Sequence, residues 1–351
     1  MEVARLILAL NGGSSTLKSS LVGDGDGQPV ASATTTWGED RNAALDRVLA
    51  DLGKSVRNVR AVAHRVVHGG QLFTRPVVID DGVLAGIEAL ADLAPLHNAV
   101  ALDLIHLART RFADVPHVAC FDTAFHATIP EEAWRYPVPY HWTEEWGIRR
   151  YGFHGLSVEW SVRRAAHELG GPADGFSLVV AHLGSGCSVT AVENGRSRWT
   201  SMGFTPLDGL MMGTRSGSID PGIVLRLSRS SSLGIEDTAA ALELQSGLLG
   251  VSGVSADMRA VRDAAERGNE HAALALRMFA ARAAEGIAAA MTWVRPDAIV
   301  FTGGIGEHDG EMRNQILERI PTTEPAPRVL VVAAQEEVVM AQATATLVAA
   351  D

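Results

Sequence analysis

One arrangement occurs twice in this chain. Leu6 to Leu10 is a continuously apolar run that stops at the small polar turn Asn11-Gly12-Gly13-Ser14, after which Thr16 to Val22 resumes as a second strand. From Ser177, the segment SLVVAHLGSGCSVTAVENG repeats the scheme in the same order: buried strand, Gly/Ser turn, strand, polar turn. Internal repetition restricts the fold more than any single segment does, because both copies must build the same supersecondary unit. Two α/β units are therefore expected. The length agrees, since 351 residues exceed the roughly 250–300 that a single hydrophobic core fills.

Around these copies the pattern alternates. Val30 to Thr36 reads as a third strand, Arg41 to Leu52 as a helix, Val59 to Val67 as a buried strand, Gly82 to Leu90 and Val100 to Arg111 as helices, and His117 to Phe121 as a strand. In the second copy Arg196 to Ser201 is the third strand. Helices follow over Ile235 to Gln245, Asp257 to Arg267 and Glu270 to Arg295, then the strand Ala298 to Thr302, the turn Gly303 to Gly306, and a closing helix from Glu336 to Ala349. GDGDG at Gly23 to Gly27 lacks the sixth-position Gly and twelfth-position Glu of a calcium loop, so a hairpin turn is the better reading.

Charge narrows the partners. Thirty basic against 41 acidic side chains leave −11, with no run of Lys or Arg, so the electrostatic footprint of a nucleic-acid binder is missing. A phosphate ligand would have to be met by a few local Arg and by backbone amides. No apolar segment reaches the ~20 residues of a membrane span, and Cys120 and Cys187 cannot build a disulfide framework. A cytoplasmic protein with no membrane and no nucleic-acid partner is the expectation.

Several positions could carry chemistry. NGGSSTLK and HLGSG, at Asn11 to Lys18 and His182 to Gly186, place amides and hydroxyls directly after buried strands, where they could hold phosphate or a hydrated metal. Arg65 sits inside an apolar strand and must be ion-paired or face a ligand, because a lone buried guanidinium is too costly. Asp122 follows a strand and is either a metal ligand or a helix cap. His154, in YGFHG, is either a core histidine or a functional one. Ser201 to Gly222 is a long irregular stretch holding Arg215, and such stretches inside folded domains are usually functional. GGIGE, Gly303 to Glu307, could present amides to a nucleotide.

Taken in order, NGGSSTLK, HRVVHGG, APLHN, FDTAFH, YGFHG, HLGSG, SMGFTPLDGLMMGTRSG, SGVSADMR and FTGGIGE resemble the acetate and propionate kinase family of the actin and sugar-kinase superfamily. The resemblance implies two duplicated actin-like ATPase (ribonuclease H-like) domains, each with a mixed central sheet, and a ligand cleft between them. Residues 1–150 would form the N-terminal domain, with the helix 336–351 packing back on it, and 151–335 the C-terminal domain with the nucleotide site. It implies Mg²⁺-dependent, reversible transfer of the ATP γ-phosphoryl group to acetate, with Mn²⁺ as a substitute metal, by a homodimer.

Carried over by position, the resemblance assigns a catalytic set of Asn11, Arg65, Asp122, His154 and Arg215, with Ser14 and Thr16 near the transferred group. Asn11, Asp122 and Glu336 would serve the metal. Arg65, Val67, Leu96, His97, Phe153 and Pro206 would face the acyl substrate, beside Asn98. Lys18, His182, Leu183, Gly184, Ser185, Gly186, Asp257, Met258, Arg259, Gly304, Ile305, Gly306 and His308 would face the nucleotide. The chain departs from the family pattern at Leu156, Val158, Ser185, Ser218, His308 and Gln342. Two alternatives stay open: a propionate kinase, and a nucleotide-binding regulator that has lost transfer.

Overall fold

The computed structural model describes residues 6–13, 16–23, 28–37, 40–90, 95–230 and 233–349, with the side chains of 95–97 and 230 outside the description. Ser14 and most of the GDGDG turn therefore lie outside the described residues. The chain divides into two compact units, one running to Ala127 and taking in Gln335 onward, the other Thr128–Ala334.

In the first unit β1 (Leu6–Gly12) forms a hairpin with β2 (Thr16–Gly23), which continues into β3 (Ala31–Thr36). After α1 (Arg41–Asp51) come β4 (Val59–Val66), the two-residue β5 (Val77–Val78), α2 (Asp81–Ala89), α3 (Pro95–Arg111) and β6 (His117–Phe121). The sheet order is β3-β2-β1-β4-β6-β5, with β1, β4 and β6 parallel. β1 is apolar from Leu6 to Leu10 because it is covered on both faces. Leu6, Leu8 and Leu10 share one core with Leu45, Val48 and Leu104 of α1 and α3, and the C-terminal helix Glu336–Val348 packs on β1, β2 and β4 through the buried Val338, Val339, Met340 and Ala341. Asp40 and Asp80 start α1 and α2 by accepting the amides of Ala43 (2.9 Å) and Val83 (2.7 Å), the usual N-cap device.

The second unit opens with α4 (Glu131–Trp134), α5 (Tyr140–Trp146) and α6 (Gly155–Leu169). There follow β7 (Ser177–Leu183), β8 (Cys187–Glu193), β9 (Arg196–Thr200), α7 (Pro221–Ser230), α8 (Ile235–Leu244), α9 (Gly247–Ser252), α10 (Met258–Glu266) and α11 (Glu270–Met291). The unit ends with β10 (Ala298–Thr302), α12 (Gly303–His308), α13 (Gly310–Leu317) and β11 (Arg328–Val331). Its order, β11-β10-β7-β8-β9, is that of the first sheet without the extra edge strand: third, second, first, fourth, fifth in chain order. The duplicated α/β architecture is thus realised as two mixed sheets of one topology.

Several local features differ from the sequence reading, the unexpected β5, α4, α5, α7, α9, α13 and β11 among them. Gly303 to Gly306, expected as a turn, opens α12. α6 is not among the helices expected, although Val158, Val162, Ala165 and Ala166 give it an apolar face at helical spacing. The segment 128–150 belongs with the second unit, the boundary falling at 127/128 and not at 150/151. Hydrogen bonds explain this: Thr128 donates to the Ser197 carbonyl, and Arg150 Nη1 donates to the carbonyls of Thr200, Ser201 and Met202. No helix among the described residues is long and apolar enough to cross a membrane.

Within the first sheet, His64 on β4 and His117 on β6 stack with centroids 5.2 Å apart. His117 Nε2–H donates to the Phe112 carbonyl (3.1 Å), so its Nδ1 accepts from His64 Nε2–H (2.9 Å). His64 Nδ1 is then a buried acceptor with no partner. Both rings are neutral, since burial pushes both imidazoles below the ordinary histidine range, His64 furthest. The native state therefore binds fewer protons than the unfolded chain once pH falls below the unfolded value of about 6.5, and stability present above that pH is lost below it. Urea unfolding should show stability falling by about 1.4 kcal/mol per pH unit below 6.5 for His64 alone. A His64→Val, His117→Val variant should show a shallower slope between pH 7.5 and 5.5; an equal slope refutes the assignment.

Candidate active site

Three parallel strands of the first unit end side by side, and each delivers one polar group there. Asn11 stands near the end of β1, Arg65 next to last in β4, and Asp122 directly after β6. Arg65 meets Asp122 in a two-nitrogen fork: Nε lies 3.0 and 3.1 Å from the two carboxylate oxygens, and Nη2 lies 2.5 Å from Oδ2. Arg65 Nη1 donates to Asn11 Oδ1 (3.0 Å), and Asn11 Nδ2 donates to both Glu336 Oε2 and Glu337 Oε1 (2.9 Å each). Arg65 is thus ion-paired, and Asp122 holds the guanidinium. Asp122 is 1% exposed. Burial alone would pull the Arg65 guanidinium down, but Asp122, Glu336 and Glu337 together hold it above its ordinary value.

Three carboxylates around one guanidinium leave a local negative excess, and their hard oxygen donors suit Mg²⁺ or Mn²⁺. Among the described residues no group of three His, Cys, Asp or Glu is arranged to hold a metal. Arg65 occupies both oxygens of Asp122 and the amide oxygen of Asn11, so the donor set fits a hydrated ion held through water, as Mg²⁺ commonly is.

The second unit holds a cationic and imidazole counterpart. His154 caps α6 in the left-handed region (φ 60°), a conformation that a non-glycine residue holds only against strain. Its Nδ1 lies 3.0 Å from Ser188 Oγ, and its ring stacks on His182 at 4.1 Å between centroids. His182 Nδ1 lies 2.8 Å from Ser157 Oγ. Arg215 reaches in from the irregular stretch after β9, its Nη1 donating to the Pro206 carbonyl (2.8 Å). Burial lowers the Arg215 guanidinium from its ordinary value, with Cys187 and Glu243 opposing, and burial pushes the Cys187 thiol up to about 12. A Cβ on Gly186 would stand 3.1 Å from Arg215 Nη2 and 3.2 Å from His154 Nε2, so those two donors converge on the glycine. Gly303 (φ 76°) has no room for a side chain either, with Leu183 O at 2.8 Å and His182 Nε2 at 3.1 Å from its Cβ position.

Other expected positions scatter in character. Lys18 is exposed, directly opposite Asn11 across the hairpin. Val67 and Phe153 are buried at 6% and 1%. Leu96 and His97 start α3, their side chains outside the described ones. Asn98 is fully buried, and its amide bridges the His68 backbone N–H and carbonyl, which fixes the HGG turn. Ser185 is exposed and its carbonyl accepts from Gly213. Asp257 caps α10 through the Arg259 amide, and the Arg259 side chain holds its carboxyl down at about 2. Met258 is buried, whereas Arg259 is 90% exposed. Gly304 and His308 are exposed, and Arg313 holds the loop by donating to the carbonyls of Gly306 and Glu307. Leu183, Ile305 and Gly306 lie at the ends of β7 and within α12. The residues missed from sequence are Ser157, Ser188 and Glu337; only Glu337, adjacent to Glu336, had a signal in the chain itself.

The profile of the Acetokinase family matches residues 24–326. The acetate kinase of Deinococcus deserti is 46% identical, the match covering 90% of this chain and 85% of the relative, and the propionate kinase of Edwardsiella piscicida is 41% identical over 90% and 84%. Among solved structures, Porphyromonas gingivalis acetate kinase superimposes with a TM-score of 0.87 at 32% identity, covering 98% and 100% of the two chains. A Francisella tularensis propionate kinase gives 0.88 at 36%, covering 96% and 98%. The chain therefore belongs to the acetokinase family of phosphotransferases.

Proposed function

We propose that this protein transfers the γ-phosphoryl group of ATP to acetate, reversibly, giving acetyl phosphate and ADP. The observation that carries the reading is the buried Arg65 network, in which one guanidinium is fixed by Asp122 and tied through Asn11 to Glu336 and Glu337. Acetate is already ionised at neutral pH, so the reaction needs no strong base. A carboxylate oxygen bonds to the γ-phosphorus as the bond to the β–γ bridging oxygen breaks, and ADP leaves with the electron pair. The obstacle is bringing two anions together, and the remedy is charge neutralisation and alignment.

Arg65 and Arg215 supply fixed positive charge, and His154 a hydrogen bond to the transferring group. Asp122 and Glu336 would hold the hydrated Mg²⁺, which neutralises phosphate charge when bound. The glycine loops after β7 and β10 offer amides to the nucleotide phosphates, as helix and strand ends do in other phosphate sites. Acetate is favoured over propionate by the bulk of the buried Val67, though one methylene separates the two acids by only ~1–3 kcal/mol. A hydroxamate assay with acetate, propionate and butyrate in parallel tests the reading: acyl phosphate must form, with acetate preferred.

Arg215→Ala should cut turnover by about 10³-fold with little change in unfolding free energy, since among the described residues Arg215 shares no carboxylate hydrogen bond. Arg65→Ala should also lose turnover, but it strands the buried Asp122 and should cost about 3–5 kcal/mol of stability. Kinetics beside denaturant melts separate the two, and unchanged turnover in Arg215→Ala rules out its role. Val67→Ala should raise kcat/KM for propionate relative to acetate several-fold, at ~0.8 kcal/mol per CH₂ accommodated. An unmoved ratio shows Val67 to be a core residue only.

A further inference from the structure

Two imidazoles in the second unit are each gripped from behind by a serine hydroxyl. His182 Nδ1 is 2.8 Å from Ser157 Oγ and His154 Nδ1 is 3.0 Å from Ser188 Oγ. Both serines have no exposed surface, so water does not compete for these contacts. The opposite ring edges face the loops: His154 Nε2 abuts Gly186 beside Arg215 Nη2, and His182 Nε2 abuts Gly303. The rings lie nearly parallel, 28° apart and 4.1 Å between centroids.

We infer that Ser157 and Ser188 are positioning residues that donate their hydroxyl protons to Nδ1 of His182 and His154, which places the ring proton on Nε2 and turns each ring into an N–H donor aimed at the backbone of Gly303 and Gly186. A hydroxyl can donate to or accept from Nδ1. Acceptance would put the proton on Nδ1 and make Nε2 an acceptor on the edge that faces the glycines, where it would repel a phosphate oxygen. Donation leaves Nε2–H instead. It also lets the two rings stack face to face beside the permanently charged Arg215, because neither ring then needs a positive charge to donate. Ser157 is placed for this by the first turn of α6, which His154 itself begins, and Ser188 by its place in β8 opposite His182 in the register with β7. One short segment thus supplies a ring and the support for the other ring.

This inference rests on the phosphoryl-transfer reading for its effect on rate, but not for its tautomers. Protein labelled with ¹⁵N-histidine, with His154 and His182 assigned by the signals lost in His154→Gln and His182→Gln, reports the protonated nitrogen directly. Both rings should show the Nε2–H tautomer at neutral pH in the intact protein. Ser157→Ala should convert His182 to a tautomer mixture and Ser188→Ala should do so for His154, each lowering kcat roughly ten- to hundredfold and moving the acidic limb of the kcat–pH profile. Ser157→Thr and Ser188→Thr, which keep the hydroxyl, should restore tautomer and profile. Nδ1–H rings in the wild type, or alanine variants that keep pure Nε2–H rings and the wild-type profile, overturn the inference. Should an alanine variant not fold, the wild-type spectrum still decides. Wild-type protein that forms no acyl phosphate refutes the proposed function alone, while the spectrum still judges the serines.

Discussion

A guanidinium inside a parallel strand cannot be left alone. Arg65 lies in β4 with β1 on one side and β6 on the other, and its charge has to be answered within a few ångströms or the strand would not stay buried. The answer comes from both neighbours, Asp122 after β6 and Asn11 in β1, and through Asn11 from Glu336 and Glu337 on a helix 325 and 326 positions further along the chain. That network aligns three strand ends and seats the C-terminal helix. The charge balance then leaves the carboxylates in excess, so the arrangement that stabilises the unit is also the one that favours a divalent cation near it.

The second unit meets the opposite electrostatic demand. Among the described residues no carboxylate hydrogen-bonds to Arg215, which is steadied by a backbone carbonyl, and the neighbouring rings are steadied by neutral hydroxyls. Groups held this way keep their donor capacity for an incoming anion, whereas a carboxylate partner would consume it. The glycines at 186 and 303 let those donors approach the backbone closely, since a side chain at either position would strike a functional group or a carbonyl.

What the sequence made legible was mostly local. The apolar run of β1, its polar turn and its second copy at β7 identify the duplicated sheet, because a strand covered on both faces must be apolar throughout. Arg65 stood out by the same logic, as a charge where the pattern forbids one. Partners far apart in the chain were not legible. Nothing near Ser157 or Ser188 announces the imidazole each touches, and nothing near Asn98 announces its bridge to the His68 backbone. The departures at Leu156 and Val158 become intelligible only in three dimensions, where both are buried in the first turn of α6, which is covered on more than one face. Segment 128–150 went to the wrong unit because its loyalty is set by backbone carbonyls of β9 and the loop after it, which carry no side-chain signature.

The discontinuity of the first unit orders events during synthesis. Its strands and first helices leave the ribosome early, but the helix that covers β1 and β4 and carries Glu336 and Glu337 follows only after the entire second unit has been made. For that interval Arg65 has Asp122 and Asn11 but lacks the distant carboxylates, and one face of the sheet is without its apolar cover. The second unit is continuous in sequence and has no such wait, since domains tend to fold as units as they emerge. The nascent chain therefore passes through a stage with its later half formed and its earlier half open, the stage at which chaperone capture has the most exposed surface to recognise.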